Sequence, residues 1–182
     1  MVSPAVLKMV FLGEGAVGKT SFKNRYLSGQ FTNSYSATIG ADFASHYTTI
    51  DNRRVDMSLW DISGQKHFAA IRKNFFRGAH GGLVIYDVTR KPTFTSLKKD
   101  WIEPFWDVLR AKVPVIVLAN KIDMADQREV STLEGEDLAK MLTEESELPI
   151  RYLEVSALQG KNVIEGVENL IRTIFAQWTE EV

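Results

Sequence analysis

The chain contains no cysteine among its 182 residues. That excludes disulfides, thiol nucleophiles and thiolate metal sites, and it fits a reducing compartment. There is no excess of one charge either: 22 lysines and arginines stand against 23 aspartates and glutamates, a net charge of −1. Such a balance gives no push toward nucleic acid, and no local basic patch stands out, so nucleic acid is not an expected partner. No apolar run approaches the length of a membrane span, and the first residues are not a signal peptide. Val2 follows Met1, so the myristoylation signal is missing. The last residues, Trp178-Thr179-Glu180-Glu181-Val182, offer no cysteine for prenylation. A cytoplasmic protein is expected, reaching membranes only peripherally, through a tail absent from this sequence or through a partner. One absence is local. Between Tyr26 and Asn52 there is no arginine or lysine at all.

The remainder is ordinary for a globular protein, with 45% hydrophobic and 25% charged residues. No repeat, linker or low-complexity segment appears, so residues 1–182 read as one domain. Apolar strands alternate with amphipathic helices. That predicts an α/β fold with a six-stranded, mostly parallel sheet and about five helices on its two faces. Strands are expected at Val6 to Leu12, Ala41 to Ile50, Arg54 to Trp60, Gly82 to Asp87, Val113 to Ala119 and Arg151 to Val155. Asp51-Asn52 reads as the turn of a hairpin, which brings one strand in antiparallel. Ser131-Thr132-Leu133-Glu134 is a capping box. A helix is expected from about Thr93 to Arg110, kinked or shortened by Pro104. Another follows Asn162, which can cap it.

The stretch that organises the chain is Gly13-Glu14-Gly15-Ala16-Val17-Gly18-Lys19-Thr20. It follows a buried strand and precedes a helix, the context a phosphate-binding loop requires. Glycines let successive N–H groups curl inward toward phosphate oxygens, and the new helix adds unpaired amides and a positive dipole end. Gly13, Gly15, Ala16, Val17, Gly18, Lys19, Thr20 and Ser21 are the candidate phosphate-binding residues. Lys19 reaches the terminal phosphates, and the Thr20 hydroxyl is a Mg²⁺ ligand.

Three later stretches name the base and the reaction. Asp61-Ile62-Ser63-Gly64-Gln65 ends a strand, where Asp61 can hold Mg²⁺, Gly64 lets the backbone approach a γ-phosphate, and Gln65 can orient an attacking water. Asn120-Lys121-Ile122-Asp123 follows the next buried strand, at the carboxyl edge where open parallel sheets bind ligands. Asp123 can accept from the adjacent N1–H and 2-amino donors of guanine, a pair that adenine lacks, while the Lys121 stem covers the ring. Ser156-Ala157-Leu158 follows the last strand, where a backbone N–H can meet the guanine carbonyl.

These motifs, in this order, make the chain resemble a small GTPase of the Ras superfamily, a P-loop NTPase G domain, over about residues 6–178. The Rab branch is the most similar. Thr38-Ile39-Gly40-Ala41-Asp42-Phe43 resembles the Rab effector loop. Leu59 to Phe68 resembles the Rab second switch, and Phe75 to Ala79 the stretch immediately after that switch. The resemblance implies that Ser28 to Asp42 is switch I and Asp61 to Arg77 switch II. It implies that Thr38 ligates Mg²⁺ and holds the γ-phosphate, that Phe31 packs against guanine, and that Tyr35 lies over the phosphates. Phe43, Trp60 and Phe75 match the aromatic triad that meets effectors, which agrees with strand alternation placing Trp60 opposite Val55, Met57 and Leu59. The implied activity is slow hydrolysis of GTP to GDP and phosphate by a monomeric switch, with Gln65, Lys19 and Thr38 catalytic and Thr20, Thr38 and Asp61 at the metal. Effectors, an activating protein and an exchange factor are the implied partners.

Departures from the pattern are Leu158, where a lysine usually buttresses the base, Ile62-Ser63 for Thr-Ala, and Lys66-His67 for Glu-Arg. The absence of arginine from switch I, with Tyr35 where Gα subunits present theirs, predicts slow intrinsic turnover and an arginine supplied in trans. His46, His67 and His80 have no metal-site spacing. Three alternatives remain at this point: a Ras- or Rho-like signalling GTPase, a P-loop ATPase or nucleotide kinase, and a non-hydrolysing nucleotide-binding scaffold.

Overall fold

The computed structural model describes residues 5–31, 38–65 and 68–180. A six-stranded sheet runs in the order β2-β3-β1-β4-β5-β6. Its strands are β1 (Ala5–Leu12), β2 (Ala41–Ile50), β3 (Arg53–Ile62), β4 (Gly81–Asp87), β5 (Val115–Asn120) and β6 (Arg151–Glu154). Only the β2–β3 pair is antiparallel; the remaining pairs are parallel. Asp51 and Asn52 both take positive φ, 49° and 62°, the backbone of a tight primed hairpin turn. Asn and Asp adopt that conformation at little cost, so the turn fixes the β2–β3 register.

The helices are α1 (Lys19–Ser28), α2 (Ala69–Phe76), α3 (Lys91–Thr95), α4 (Glu103–Leu109), α5 (Thr132–Ser146) and α6 (Val163–Glu180). The strands at the centre of the sheet are covered on both faces, which is why they read as continuous apolar runs rather than alternating ones. Along β1, Leu7, Met9 and Phe11 join a core with Phe22 of α1 and Val167, Leu170 and Ile174 of α6. Val10 and Leu12 join the opposite core with Trp101, Phe105 and Leu142. Each fully buried side chain of this size contributes about 1.5–3 kcal/mol.

The helix expected over residues 93–110 is three pieces. α3 ends at Thr95, residues Leu97–Ile102 form a π-helical turn, and α4 restarts with Pro104 in its first turn. The Glu103 N–H reaches back five residues to the Lys98 carbonyl. Pro104 has no N–H and is tolerated only in a first turn, so the ladder changes step just before it. Counted as one composite unit, this segment brings the helices to the expected five. A second correction concerns Asn162. It holds φ 58° and its side-chain amide donates to the Glu154 carbonyl at 2.8 Å, so it ties α6 to β6 rather than capping with its side chain. The capping box of α5 is as expected, with Ser131 and Glu134 bonded reciprocally. Among the described residues, no helix is long and apolar enough to cross a membrane.

Candidate functional site

The loop between β1 and α1 is shaped by steric necessity. Gly13 has φ +135°, and a Cβ there would lie 2.1 Å from the Ile85 carbonyl oxygen. Its backbone therefore passes against β4 as only glycine allows. Lys19 Nζ folds over its own loop and donates to the Gly13 and Glu14 carbonyls, each at 2.7 Å. Arg90 Nη2 donates to the next carbonyl, that of Gly15, at 2.9 Å. In a planar trans peptide the N–H points away from its carbonyl. Holding these oxygens to one side thus turns the following amides to the other. No acceptor among the described residues meets the N–H groups of Gly15, Ala16, Val17 or Gly18. A row of convergent, unpaired amides at a helix start is an anion cradle. Lys19 is buried, and burial lowers its pKa to about 8, with the charges of Asp61 and Glu14 pulling the other way. Ser21 follows in the first turn of α1.

Beside the cradle, three oxygen-bearing side chains meet. Thr20 Oγ1 donates to Asp61 Oδ2 at 2.5 Å and lies 3.0 Å from Thr38 Oγ1, which is 3.5 Å from the same carboxylate oxygen. Asp61 is fully buried, its Oδ1 has no partner, and burial raises its pKa. An orphaned buried carboxylate oxygen next to two hydroxyls is a hard-oxygen donor set, which fits Mg²⁺. A fourth residue, missed in the sequence, borders it. Lys23, one turn beyond Thr20, is buried, bonds Asp42 and lies 4.0 Å from Asp61 Oδ2.

Gly64 packs against the cradle from the far side. A Cβ on it would fall 2.3 Å from both the Glu14 carbonyl carbon and the Gly15 nitrogen. Gln65 follows half-buried, its carbonyl accepting from Phe68 at 3.1 Å.

The β5 corner is a brace as well as a surface. Asn120 is buried; its Nδ2 donates to the Val17 carbonyl at 2.8 Å and its Oδ1 accepts from the Ala157 N–H at 3.1 Å. It therefore joins the phosphate loop to the loop after β6. Asp123 accepts from the Ser156 hydroxyl. Lys121 does not lie free: its Nζ pairs with Asp87 at 2.6 Å. Asp87, buried at the end of β4, also accepts from Arg90 Nε at 3.0 Å and twice from Thr89. Burial alone would raise its pKa, but hydrogen bonds from Lys121 and Thr89 outweigh that and hold it below the usual range. Leu158 is 49% exposed at this corner. Arg25 of α1 secures the same loop through the Gln159 carbonyl at 2.9 Å.

The Ras family pattern matches residues 8–176. The chain belongs to the Ras family. Members of this family are GTP hydrolases that bind GTP and GDP. The chain is 34% identical over 170 residues to Ras-related protein Rab-11C of Dictyostelium discoideum, covering 93% of this chain and 73% of that protein. To Ras-related protein RABA5b of Arabidopsis thaliana it is 35% identical over 170 residues, 93% of this chain and 75% of the relative. It is also 37% identical over 172 residues to human EF-hand calcium-binding domain-containing protein 4B. There it covers 94% of this chain but spans only 23% of the longer protein.

Three aromatic side chains meet where the β2–β3 face adjoins α2. Phe43 and Trp60 stack with centroids 5.2 Å apart, and Trp60 meets Phe75 of α2 at 6.1 Å. The Trp60 outer position follows from alternation, since Val55, Met57 and Leu59 are buried while Asp56, Ser58 and Trp60 are half-buried. Lys8 Nζ covers the Trp60 ring at 4.2 Å. Phe31 is half-buried in the segment after α1. Tyr35, Lys66 and His67 lie outside the described residues. His80 accepts from the Lys8 N–H at 2.9 Å and His46 packs edge-on to Tyr26, so both have packing roles.

Proposed function

We propose that this Ras-family protein is a GTP/GDP switch of Rab type, reading nucleotide state to effectors in membrane trafficking. The carrying observation is the meeting of Thr20, Thr38 and Asp61 at one oxygen cluster, with Gly64 laid against the phosphate loop. One wall of that cluster comes from switch I and another from switch II, so a γ-phosphate and its metal would join both. When bound, Mg²⁺ would be held by Thr20, Thr38 and Asp61 and would neutralise developing phosphate charge. The chain's own residues do the rest. Lys19 and the loop amides bind the phosphates. Gln65 orients the attacking water. Asp123 selects guanine, and Lys121 and Leu158 flank it. Phe31 packs against the base.

The aromatic stack of Phe43, Trp60 and Phe75 favours a Rab-type effector surface over a Ras- or Rho-like one, because it couples β2 and β3 to the switch II helix. Catalysis needs an arginine from an activating protein. Among the described residues, Arg90 beside the phosphate loop is engaged with Asp87 and Gly15, while Arg72 lies over the Trp101 ring at 4.0 Å with its Nε unpaired. Competition between GTP and ATP for purified protein tests the reading, together with chromatography of the nucleotide it retains. Retained GDP or GTP and exclusion of ATP are expected; a retained adenine nucleotide would overturn it.

A further inference from the structure

Among the described residues, Lys23 is the buried ammonium beside the metal-binding oxygens that the switch mechanism leaves unused. Its side chain is 3% exposed, and its Nζ faces two carboxylates. It bonds Asp42 Oδ2 and lies 4.0 Å from Asp61 Oδ2. The β2–β3 register explains why these two carboxylates are within its reach: Asp42 and Asp61 sit directly opposite each other. Like charges placed opposite in an antiparallel pair repel, and Lys23 enters between them from α1. Asp42 is 66% exposed and solvated, so it needs little help. Asp61 is fully buried, and its other oxygen has no partner. A charge buried without compensation is costly, so the ammonium matters chiefly to Asp61.

We propose that Lys23 is a resident counter-cation of the metal site, which weakens Mg²⁺ binding and partly substitutes for Mg²⁺ in retaining nucleotide. The inference rests on the guanine-nucleotide reading above. Lys23 and the metal draw on the same carboxylate. An ammonium 4.0 Å from Asp61 that offsets part of its charge lowers what a divalent ion gains there, and two cations close together in a partly buried site repel. When the metal leaves, Lys23 still offsets part of the Asp61 charge, beside the contribution of Lys19. Nucleotide release then accelerates less than it would around a bare carboxylate. Asp42 tunes the effect, since its negative charge offsets Lys23 on the exposed side.

The test is the rate of release of a fluorescent GDP measured against free Mg²⁺, with calorimetric titration of Mg²⁺ into the GDP-bound protein. Lys23→Met keeps the stem and removes the charge. Its Mg²⁺ midpoint is expected to fall by about tenfold relative to wild type, and its release in chelator to be faster. Lys23→Arg restores the charge and should return both readouts toward wild type, which a packing role would not require. Asp42→Asn alters an exposed side chain and is expected to move the midpoint the opposite way, toward weaker Mg²⁺ binding. Repeated in Lys23→Met, the same change should shift the midpoint less, because the ammonium that Asp42 offsets is gone. A Mg²⁺-dependent wild type with an unshifted Lys23→Met midpoint, or tighter Mg²⁺ binding in Asp42→Asn, overturns the inference alone. Wild-type release that ignores Mg²⁺ altogether overturns both it and the reading beneath it.

Discussion

Adding one methyl group at Gly64 separates the two halves of the proposed switch. A Cβ there would meet the Glu14 carbonyl carbon and the Gly15 nitrogen at 2.3 Å, and the Glu14 oxygen at 2.4 Å. All three are backbone atoms of the phosphate loop, which is pinned by Lys19 and Arg90 and cannot yield as a side-chain tip would. Forcing such an overlap costs about 1–3 kcal/mol unless something moves. Switch II is the side that gives, because no hydrogen bond among the described residues ties Gly64 itself to the loop. On the proposed reading, GDP lacks the phosphate that Gly64 would contact. The cost therefore falls on the GTP state, and Gly64→Ala is expected to lower the GTP-over-GDP affinity ratio by about 5- to 150-fold. Hydrolysis falls with it, because Gln65 rides on the displaced segment. Competitive displacement of fluorescent GDP by GTP and by GDP reads the ratio directly, and single-turnover phosphate release reads the chemistry. A variant that keeps the wild-type ratio and the wild-type hydrolysis rate would refute the assignment of Gly64 to the γ-phosphate contact.

Gln65→Leu is expected to slow hydrolysis while leaving GTP affinity unchanged; unchanged single-turnover hydrolysis removes Gln65 from the mechanism. Asp123→Asn should shift preference from guanine to xanthine nucleotides, since the 2-position changes from donor to acceptor, and a variant still selecting GTP in competition contradicts the base assignment. Intrinsic turnover should be slow and rise by about 10³–10⁵ with an arginine in trans; a rate for the isolated protein near that of Gα argues against this. Glu134 is held down to about 2, first by the Lys91 side chain and then by Ser131. A depressed carboxylate stabilises the fold above its ordinary pKa and loses that effect as pH falls through its folded value. The melting-temperature gap between wild type and Glu134→Gln is therefore expected at neutral pH and should close as pH falls from 4.5 toward about 2; a pH-independent gap would contradict the pairing.

Features governed by neighbouring residues were legible in the sequence. Strand β2 runs over Ala41–Ile50 as read, because Asp51-Asn52 fixes one end and alternation the body. The capping box and the glycine-rich loop are similarly local. The broken helix at 91–109 was less so: Pro104 signalled a break, but tertiary packing of Trp101 and Phe105 into one core decides how the turns regroup into a π step. Arg90 and Asp87 were missed because their partners, Gly15 and Lys121, are remote in sequence. A signal did exist for Asp87, a carboxylate at the carboxyl end of a buried parallel strand, where such sheets bind ligands. Lys23 also had one, since three residues past Thr20 on a helix is the same face.

The site divides into a fixed part and a releasable part according to where its hydrogen bonds go. Asn120 ties Val17 to Ala157, and Asp87 ties Lys121 to Arg90, which in turn holds Gly15. Through these two buried groups the β5 corner and the phosphate loop are joined, so on the proposed reading the base site and the phosphate site share one hydrogen-bonded frame. The described residues of switch I and switch II meet that frame differently. Thr38 reaches it through a hydroxyl contact with Thr20 and Asp61, and Gly64 by van der Waals contact alone. Contacts of that kind are few, and on the proposed reading a bound γ-phosphate would add to them. On the proposed reading, effector recognition would follow the γ-phosphate without disturbing the base, because Phe75 lies on α2, downstream of Gly64, while Phe43 and Trp60 lie on the sheet. On the proposed reading, a small shift of α2 would separate Phe75 from Trp60 and change the aromatic face offered to a partner.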